Sequence, residues 1–256
     1  MTELTFQNIV DDGAILFLET HHMQDDRFEE WGYERWHTAD QFASVEFHFP
    51  GRSSKHLQTA FVGTSGPGPK TFLWAWANPN VAATPAQKAV FDQVVAFGRH
   101  YGIEELTSGE VPFESIVPAF ADEEFRLSAE KAGSTLVAFK IATAVKMITG
   151  RANHFTSDIG RGSMAVVAYN HGSLELGPPS ALTFQMRFME AVAAGMIEDH
   201  RRAVESYARF RLQTPVTEPS PGTLEVTFDD GQATIAFDEN NRLTTMNASL
   251  TGLPSS

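Results

Sequence analysis

The sequence predicts an α+β protein in which helices cover an antiparallel β-meander, followed by a C-terminal β-hairpin or meander module. Three observations lead to this class. Segments with helical periodicity alternate with segments of period two, and short turns rich in glycine and proline join the latter. With 42% hydrophobic residues in 256, the chain can also bury a sizeable core.

The first element is a helix, predicted over residues 6–31. Apolar residues recur there at helical spacing from Phe6 to Met23 and form one stripe. Gly32 then offers a stop, because glycine accepts the left-handed conformation in which many helices end.

Three strands of the meander are predicted next. Residues 43–49 alternate between apolar and polar, which places Glu46 and His48 on the polar face of a half-buried strand. HLQTAFV is the second strand, GTSGPGPK is a turn, and TFLWAWA is the third strand. The turn is not a phosphate-binding loop, since its lysine does not directly follow the last glycine and its prolines remove backbone N–H groups.

Further helices have clear start and stop signals. Thr84 is a good N-cap, and Gln87 can complete a capping box for a helix that Gly102 closes. A second helical region is predicted over residues 122–149, followed by a short buried strand, SMAVVAY. A long helix is then predicted from Ser180 to about Leu212.

The C-terminal segment changes its period. Residues 1–213 form the predicted main domain, and residues 214–222 form a proline-rich linker. Residues 223–256 form a β-meander, because LEVTF, DDGQ and ATIAF are typical of a hairpin and RLTTMNASL can add a strand. A module of this size is marginal alone, so we expect it to pack on the main domain.

Composition limits the function classes. A formal net charge of −13 repels nucleic-acid backbones and anionic membranes, so we predict no nucleic acid and no membrane as partner. The absence of cysteine excludes disulfides and thiolate metal sites, and no cofactor motif is found. The acidic N-terminus lacks the basic segment of a signal peptide, which predicts a cytoplasmic protein. A small molecule or another protein remains as partner, and the sequence does not indicate the oligomeric state.

The stretch FLWAWANPN carries two of the four tryptophans. In a strand, Trp74, Trp76 and Asn78 would share one face. If the register places that face beside apolar neighbours, the rings fill the core, and this is the alternative we favour. If it lies beside Glu46 and His48, the five residues wall a ligand groove. A register slip of one residue exchanges the two outcomes.

A candidate metal site lies in the first helix. Glu19, His22 and Asp26 in ETHHMQDD are three and four residues apart, on one helical face. Glu-x-x-His is the spacing with which helical bundles present two ligands, and such ligands suit iron, manganese or zinc. Bundle sites use a second such motif, which the sequence lacks, and a solvated face with His–Asp pairs is the alternative.

Several of these segments together resemble an uncharacterised family of bacterial proteins, a domain of unknown function with a W-A-W-A-N strand. The resemblance covers roughly Phe6–Ala168 and implies this order of elements, without implying an activity or catalytic residues. The segments that carry it are Trp36, Asp40, VEFHF, LQTAFVGTSG, FLWAWANPN and MITGRANHFTSDIG.

We interpret the chain as a non-enzymatic small-molecule- or protein-binding module. No complete catalytic motif is found, and an acidic surface suits partner recognition. The alternative is a metal-dependent hydrolase or oxidoreductase that uses the helical Glu-x-x-His site. Metal analysis of the purified protein distinguishes the two.

Overall fold

The computed structural model describes residues 4–39, 42–121 and 130–251. Helices and antiparallel sheets make up these residues, which confirms the α+β class. Asp40 and the beginning of the helix predicted from residue 122 lie outside the described residues, as does the end of the C-terminal module.

The chain divides into two compact units. Unit 1 is formed by Met1–Phe6 and Met23–Leu174, and unit 2 by Gln7–His22 and Glu175–Ser256. The domain boundaries predicted at residues 213 and 223 stay a prediction.

Helix α1 spans Phe6–Trp31, as predicted, and Gly32 follows it with a φ of +62°. Its first part belongs to unit 2 and its last part to unit 1. In unit 1, Phe28 on the last turns contacts the ring of Phe47 at a centroid distance of 5.0 Å. The helix therefore buries its apolar stripe, as expected for an amphipathic helix.

Within the described residues, seven antiparallel strands form the sheet of unit 1. Successive strands from β1 to β5 are hydrogen-bonded neighbours, while β7 pairs with β3 and with β6. The meander is therefore confirmed, and β6 is an addition that the periodicity did not predict. The strands are β1 (Arg35–Ala39), β2 (Ser44–Phe49), β3 (Arg52–Gly66), β4 (Thr71–Trp74), β5 (Glu110–Pro112), β6 (Asn153–Asp158) and β7 (Met164–Tyr169).

Strand β2 has the predicted alternation. Val45 and Phe47 are buried at 2% and 1% exposure, whereas Glu46 and His48 between and beyond them are partly exposed. The apolar face belongs to a cluster with Leu57, and the polar face of the strand points away from it.

The predicted third strand is too long, because β4 ends at Trp74 and a 3₁₀ turn follows over Ala75–Ala77. The physical reason lies in β3. Its register shifts between Phe61 and Gly63, and Gly63 pairs with Trp74 as the last pair of the β3–β4 ladder. The β3–β4 pairing therefore stops at the residue where β3 bulges against β7, and the chain beyond Trp74 turns.

Helices cover this sheet. Helix α2 (Pro85–Tyr101) begins with the predicted Thr84–Gln87 capping box, and Gly102 follows it with a φ of +71°. The short α3 (Phe113–Ile116) precedes α4 (Glu130–Thr149), which contacts β3, β7 and α2.

In unit 2 the predicted single helix from Ser180 to Leu212 is wrong. The chain forms α5 (Ala181–Ala193), capped by Ser180, and then α6 (His200–Tyr207), which continues into one π-helical turn. Gly195, with a φ of +66°, breaks the helix, and the Asp199 side chain caps α6 by accepting the N–H of Arg202.

The C-terminal strands form a second antiparallel sheet, in the order β11-β10-β9-β8. Its apolar face is buried, and Phe228 contacts Phe184 of α5 at a ring-centroid distance of 5.4 Å. The segment predicted as a linker contains β8. These strands are β8 (Thr217–Ser220), β9 (Thr223–Phe228), β10 (Gly231–Phe237) and β11 (Leu243–Leu250).

No helix within the described part of the chain is both long and apolar enough to cross a membrane.

Candidate functional site

An open groove of about 870 Å³ lies in unit 1 between the 3₁₀ turn, the following loop and the outer face of α2. Its volume is in the range of small-molecule sites. The lining is mainly aromatic and aliphatic, with three charged side chains. The lining residues are Ala75, Trp76, Val81, Ala82, Ala83, Lys88, Phe91, Asp92, Val95, Ala96 and Arg99.

Trp76 is the largest side chain of the groove, and neighbouring rings fix its position. It stacks on Trp74 with centroids 4.3 Å apart and an interplanar angle of 18°, and it meets Phe91 at 5.6 Å in an edge contact. Trp76 nevertheless remains partly exposed, whereas Phe91 is buried. The groove therefore has a rigid aromatic wall, which costs little entropy to use in binding.

The charged groups of the groove come from one stripe of α2. Lys88, Asp92 and Arg99 are separated by four and seven residues and are exposed. Val95 lies between them on the same stripe. An apolar wall with a few polar groups of both signs is the usual make-up of a ligand site.

The other two residues of the predicted tryptophan face support the groove from behind. Trp74 is 0% exposed, and its indole N–H donates to the Glu105 carbonyl at 3.0 Å. The Asn78 side-chain oxygen accepts the N–H of Asn80 at 3.0 Å, and the Asn78 N–H donates to the Ala75 carbonyl at 3.3 Å. These bonds hold the turn that presents Trp76.

Glu46 and His48, the polar residues assigned to the same groove from the sequence, are not among its lining residues. They lie on the polar face of β2, beside histidines of β1 and β3. The Ser54 hydroxyl has the largest effect on the Glu46 carboxyl, and this hydrogen bond, with help from the surrounding imidazoles, lowers the pKa of Glu46 below its usual value.

Two residues of the candidate helical metal site, Glu19 and His22, are bonded to other side chains of the protein. In unit 2, buried Glu19 forms an ion pair with Arg211 at 2.9 Å and accepts the Tyr207 hydroxyl at 2.9 Å. His22 bonds to Glu190 at 2.9 Å, and Asp26, in the part of α1 that belongs to unit 1, is exposed. Glu19 in this arrangement stabilises a packed helix end by a charge-assisted contact.

The residues of α2 in the groove were not predicted from the sequence. The sequence pattern indicates an ordinary solvated helix face at Lys88, Asp92 and Arg99. Nothing in the local sequence shows that a turn some ten residues earlier lies against this face. The available signal is weak and consists of the exposed Ala96 and the partly exposed Val95 among these charges.

The comparison with protein families gives one match. The model of a family described as a family of unknown function (DUF6882) matches residues 7–171, which is more than half of the chain. The match contains the whole groove. No curated protein and no solved structure matches the chain.

Proposed function

Since the chain belongs to the DUF6882 family, whose function is unknown, we propose a function from its groove: non-enzymatic binding of a small aromatic molecule that carries an acidic group. The single observation that carries this proposal is the partly exposed Trp76, stacked on Trp74 at the wall of an 870 Å³ groove. An aromatic ring at the wall of a concave site is typical of small-molecule pockets.

The ligand class follows from the lining. A planar ring can stack against Trp76, and the small side chains of Ala82 and Ala83 leave room beside it. Lys88 and Arg99 supply positive charge at two positions along α2 and can bind an acidic group of the ligand. Asp92 between them can accept a hydrogen bond from a ring N–H or hydroxyl.

A binding role without chemistry is supported by the groove's residue types. Among the residues that the structure describes, its lining contains no histidine, serine or glutamate and one carboxylate, Asp92, which is solvent-exposed. General acid–base and nucleophilic catalysis use side chains whose pKa or nucleophilicity the site adjusts by burial or by a partner. We therefore assign binding to this site and no reaction.

Anilinonaphthalene sulfonate, an aromatic anion whose fluorescence rises in apolar surroundings, tests the proposal. The full chain should bind it at one saturable site, and Trp76→Ala should weaken binding about tenfold or more. Tyr101→Ala is the matched control, because Tyr101 is an exposed ring on α2 that does not line the groove. Equal affinity of the Trp76→Ala and wild-type chains would refute the proposal.

Charge provides a second arm of the same experiment. Replacing Lys88 and Arg99 by methionine retains length and apolar contact but removes both positive charges. We expect weaker binding of the sulfonate and unchanged binding of an uncharged naphthalene derivative, since only the former uses the charges. Loss of both would show that the double variant damages the groove itself.

The predicted cytoplasmic location is part of this proposal. Fractionation of native cells, with antibody detection of the full chain, tests it directly. Recovery in the membrane or extracellular fraction would contradict it.

A further inference from the structure

A row of ligand-type side chains crosses three strands on the polar face of the unit 1 sheet. His37 of β1 is paired with Glu46 of β2, which is paired with His56 of β3. Directly paired residues project from the same face with close Cβ atoms. His48 lies two residues beyond Glu46 on β2 and therefore shares that face. Three histidines thus surround one carboxylate on this face of the sheet.

The distances between their atoms suit a shared cation. One ligand atom each from His37, Glu46 and His48 lies within 4.8 Å of the other two. The Glu46 carboxylate is 3.3 Å from His37 Nε2 and 3.4 Å from His56 Nε2. Ligand atoms on one tetrahedral zinc ion are about 3.3 Å apart, given bonds of about 2.0–2.1 Å.

Hydrogen bonds hold the His48 ring at both of its nitrogens. The Ser54 hydroxyl lies 3.1 Å from His48 Nδ1, and His48 Nε2 lies 2.8 Å from His37 Nδ1. A hydrogen bond at one imidazole nitrogen orients the other toward a metal, which is the usual arrangement around metal-binding histidines. The His37 side chain is 51% exposed, so its ring can turn to present one nitrogen to an ion shared with Glu46 and His48.

The opposite face of the same strands fixes the backbone. Phe47 and Leu57 are 1% and 2% exposed and belong to one apolar cluster. Glu46 and His48 on β2 and His56 on β3 are the neighbours of these buried residues and project from the other face of the sheet. The packed core on one face therefore fixes the spacing of the polar side chains on the other. Among the described residues, this is the group of three histidine or acidic side chains that can hold an ion.

We propose that His37, Glu46 and His48 bind one divalent transition-metal ion, while His56, whose Nε2 lies 3.4 Å from the Glu46 carboxylate, supports that ligand from the neighbouring strand. Imidazole-rich sites with one carboxylate suit zinc, iron, nickel or copper, whereas magnesium and calcium take oxygen ligands. The site faces solvent, with the His37 side chain 51% exposed, so an ion with three protein ligands keeps a fourth position open for water or a small molecule. This inference does not depend on ligand binding in the groove.

Calorimetric titration of the chelator-treated full chain with zinc tests the proposal. The expected result is one ion bound per chain, no binding of magnesium, and a rise in Tm when zinc is added. His37→Ala, His48→Ala and Glu46→Gln should each weaken zinc binding about tenfold or more, and His56→Ala should weaken it less. His100→Ala is the matched control, because His100 is an exposed histidine of α2 outside the group.

Two results would overturn the proposal. One is failure of the wild-type chain to bind zinc. The other is zinc affinity that stays the same in the His37, His48 and Glu46 variants, or that falls equally in His100→Ala. A melting curve of each variant, recorded in chelator, verifies its fold. If an alanine variant does not fold, Glu46→Gln provides the decisive comparison, because it removes the negative charge and keeps the shape of the side chain.

Discussion

Two tryptophans separated by one residue have different roles in this protein. Trp74 is the last residue of β4 and lies in the core, while Trp76 lies in a 3₁₀ turn and remains partly exposed. The sequence predicts one shared face because it assigns both residues to a strand. The turn after Trp74 removes that constraint and lets one ring support the other.

Trp74→Ala is expected to lower the free energy of unfolding by about 3–5 kcal/mol. The reason is that Trp74 is 0% exposed and its loss leaves a cavity and removes the donor to the Glu105 carbonyl. Urea unfolding followed by circular dichroism measures the change. Trp76→Ala is the control and should cost clearly less, because the Trp76 ring is only partly buried. A Trp74→Ala chain as stable as the wild type would contradict the core assignment.

At the scale of the element, the sequence predicts what local chemistry determines. The limits of α1 follow from its apolar stripe and Gly32, the burial of β2 follows from alternation, and the start of α2 follows from its capping box. The end of β4 at Trp74 depends on pairing with residues distant in sequence, whereas the break after α5 combines the local Gly195 and Asp199 with one distant residue. The side of the groove that α2 contributes could not be predicted from local sequence either, because only the tertiary structure brings α2 next to Trp76.

Asp11 is the distant residue at the break between α5 and α6. Its carboxylate accepts the N–H groups of Glu198 and Asp199, at 2.8 and 3.3 Å, and the Gln7 amide at 2.7 Å. Burial outweighs these bonds and raises the pKa of Asp11 from 3.8 to about 6. The folded chain therefore binds a proton here more tightly than the unfolded chain does.

This difference predicts a pH dependence of stability. The contribution of Asp11 to the free energy of unfolding is fully present below about pH 4 and is lost as the pH rises through about 6. A shift of about two pKa units corresponds to about 3 kcal/mol. The Asp11→Asn variant has no carboxyl group to titrate at this position. The difference in unfolding free energy between the wild type and this variant should therefore change by about 3 kcal/mol between pH 4 and 7. Urea unfolding at several pH values measures it, and parallel curves for the two chains would disprove the assignment.

At the scale of the whole molecule, each unit combines helices with an antiparallel sheet. In unit 1 the strands β1 to β3 place an apolar cluster on one face and the His–Glu group on the other, while α2 and the 3₁₀ turn form the groove. In unit 2 the C-terminal sheet buries one face, and hydrogen bonds join it to α6. The Leu243 N–H donates to His200 Nδ1 at 2.9 Å, and burial, with Arg242 nearby, lowers the pKa of His200 and so favours the neutral ring that accepts this bond.

Deletion of residues 214–256 should therefore destabilise what remains. Leu224, Val226 and Ile235 are at most 2% exposed, and the α5 ring of Phe184 loses its contact with Phe228 when the sheet is removed. Loss of this core amounts to several kcal/mol, which corresponds to a fall in Tm of about 10 °C or more for a chain of this length. Calorimetry of the truncated chain measures the fall, and a chain that ends at residue 250, which retains all four strands, is the control. If the truncated chain melts at the temperature of the full chain, the sheet is an independent module and the helices of unit 2 do not need it for their stability.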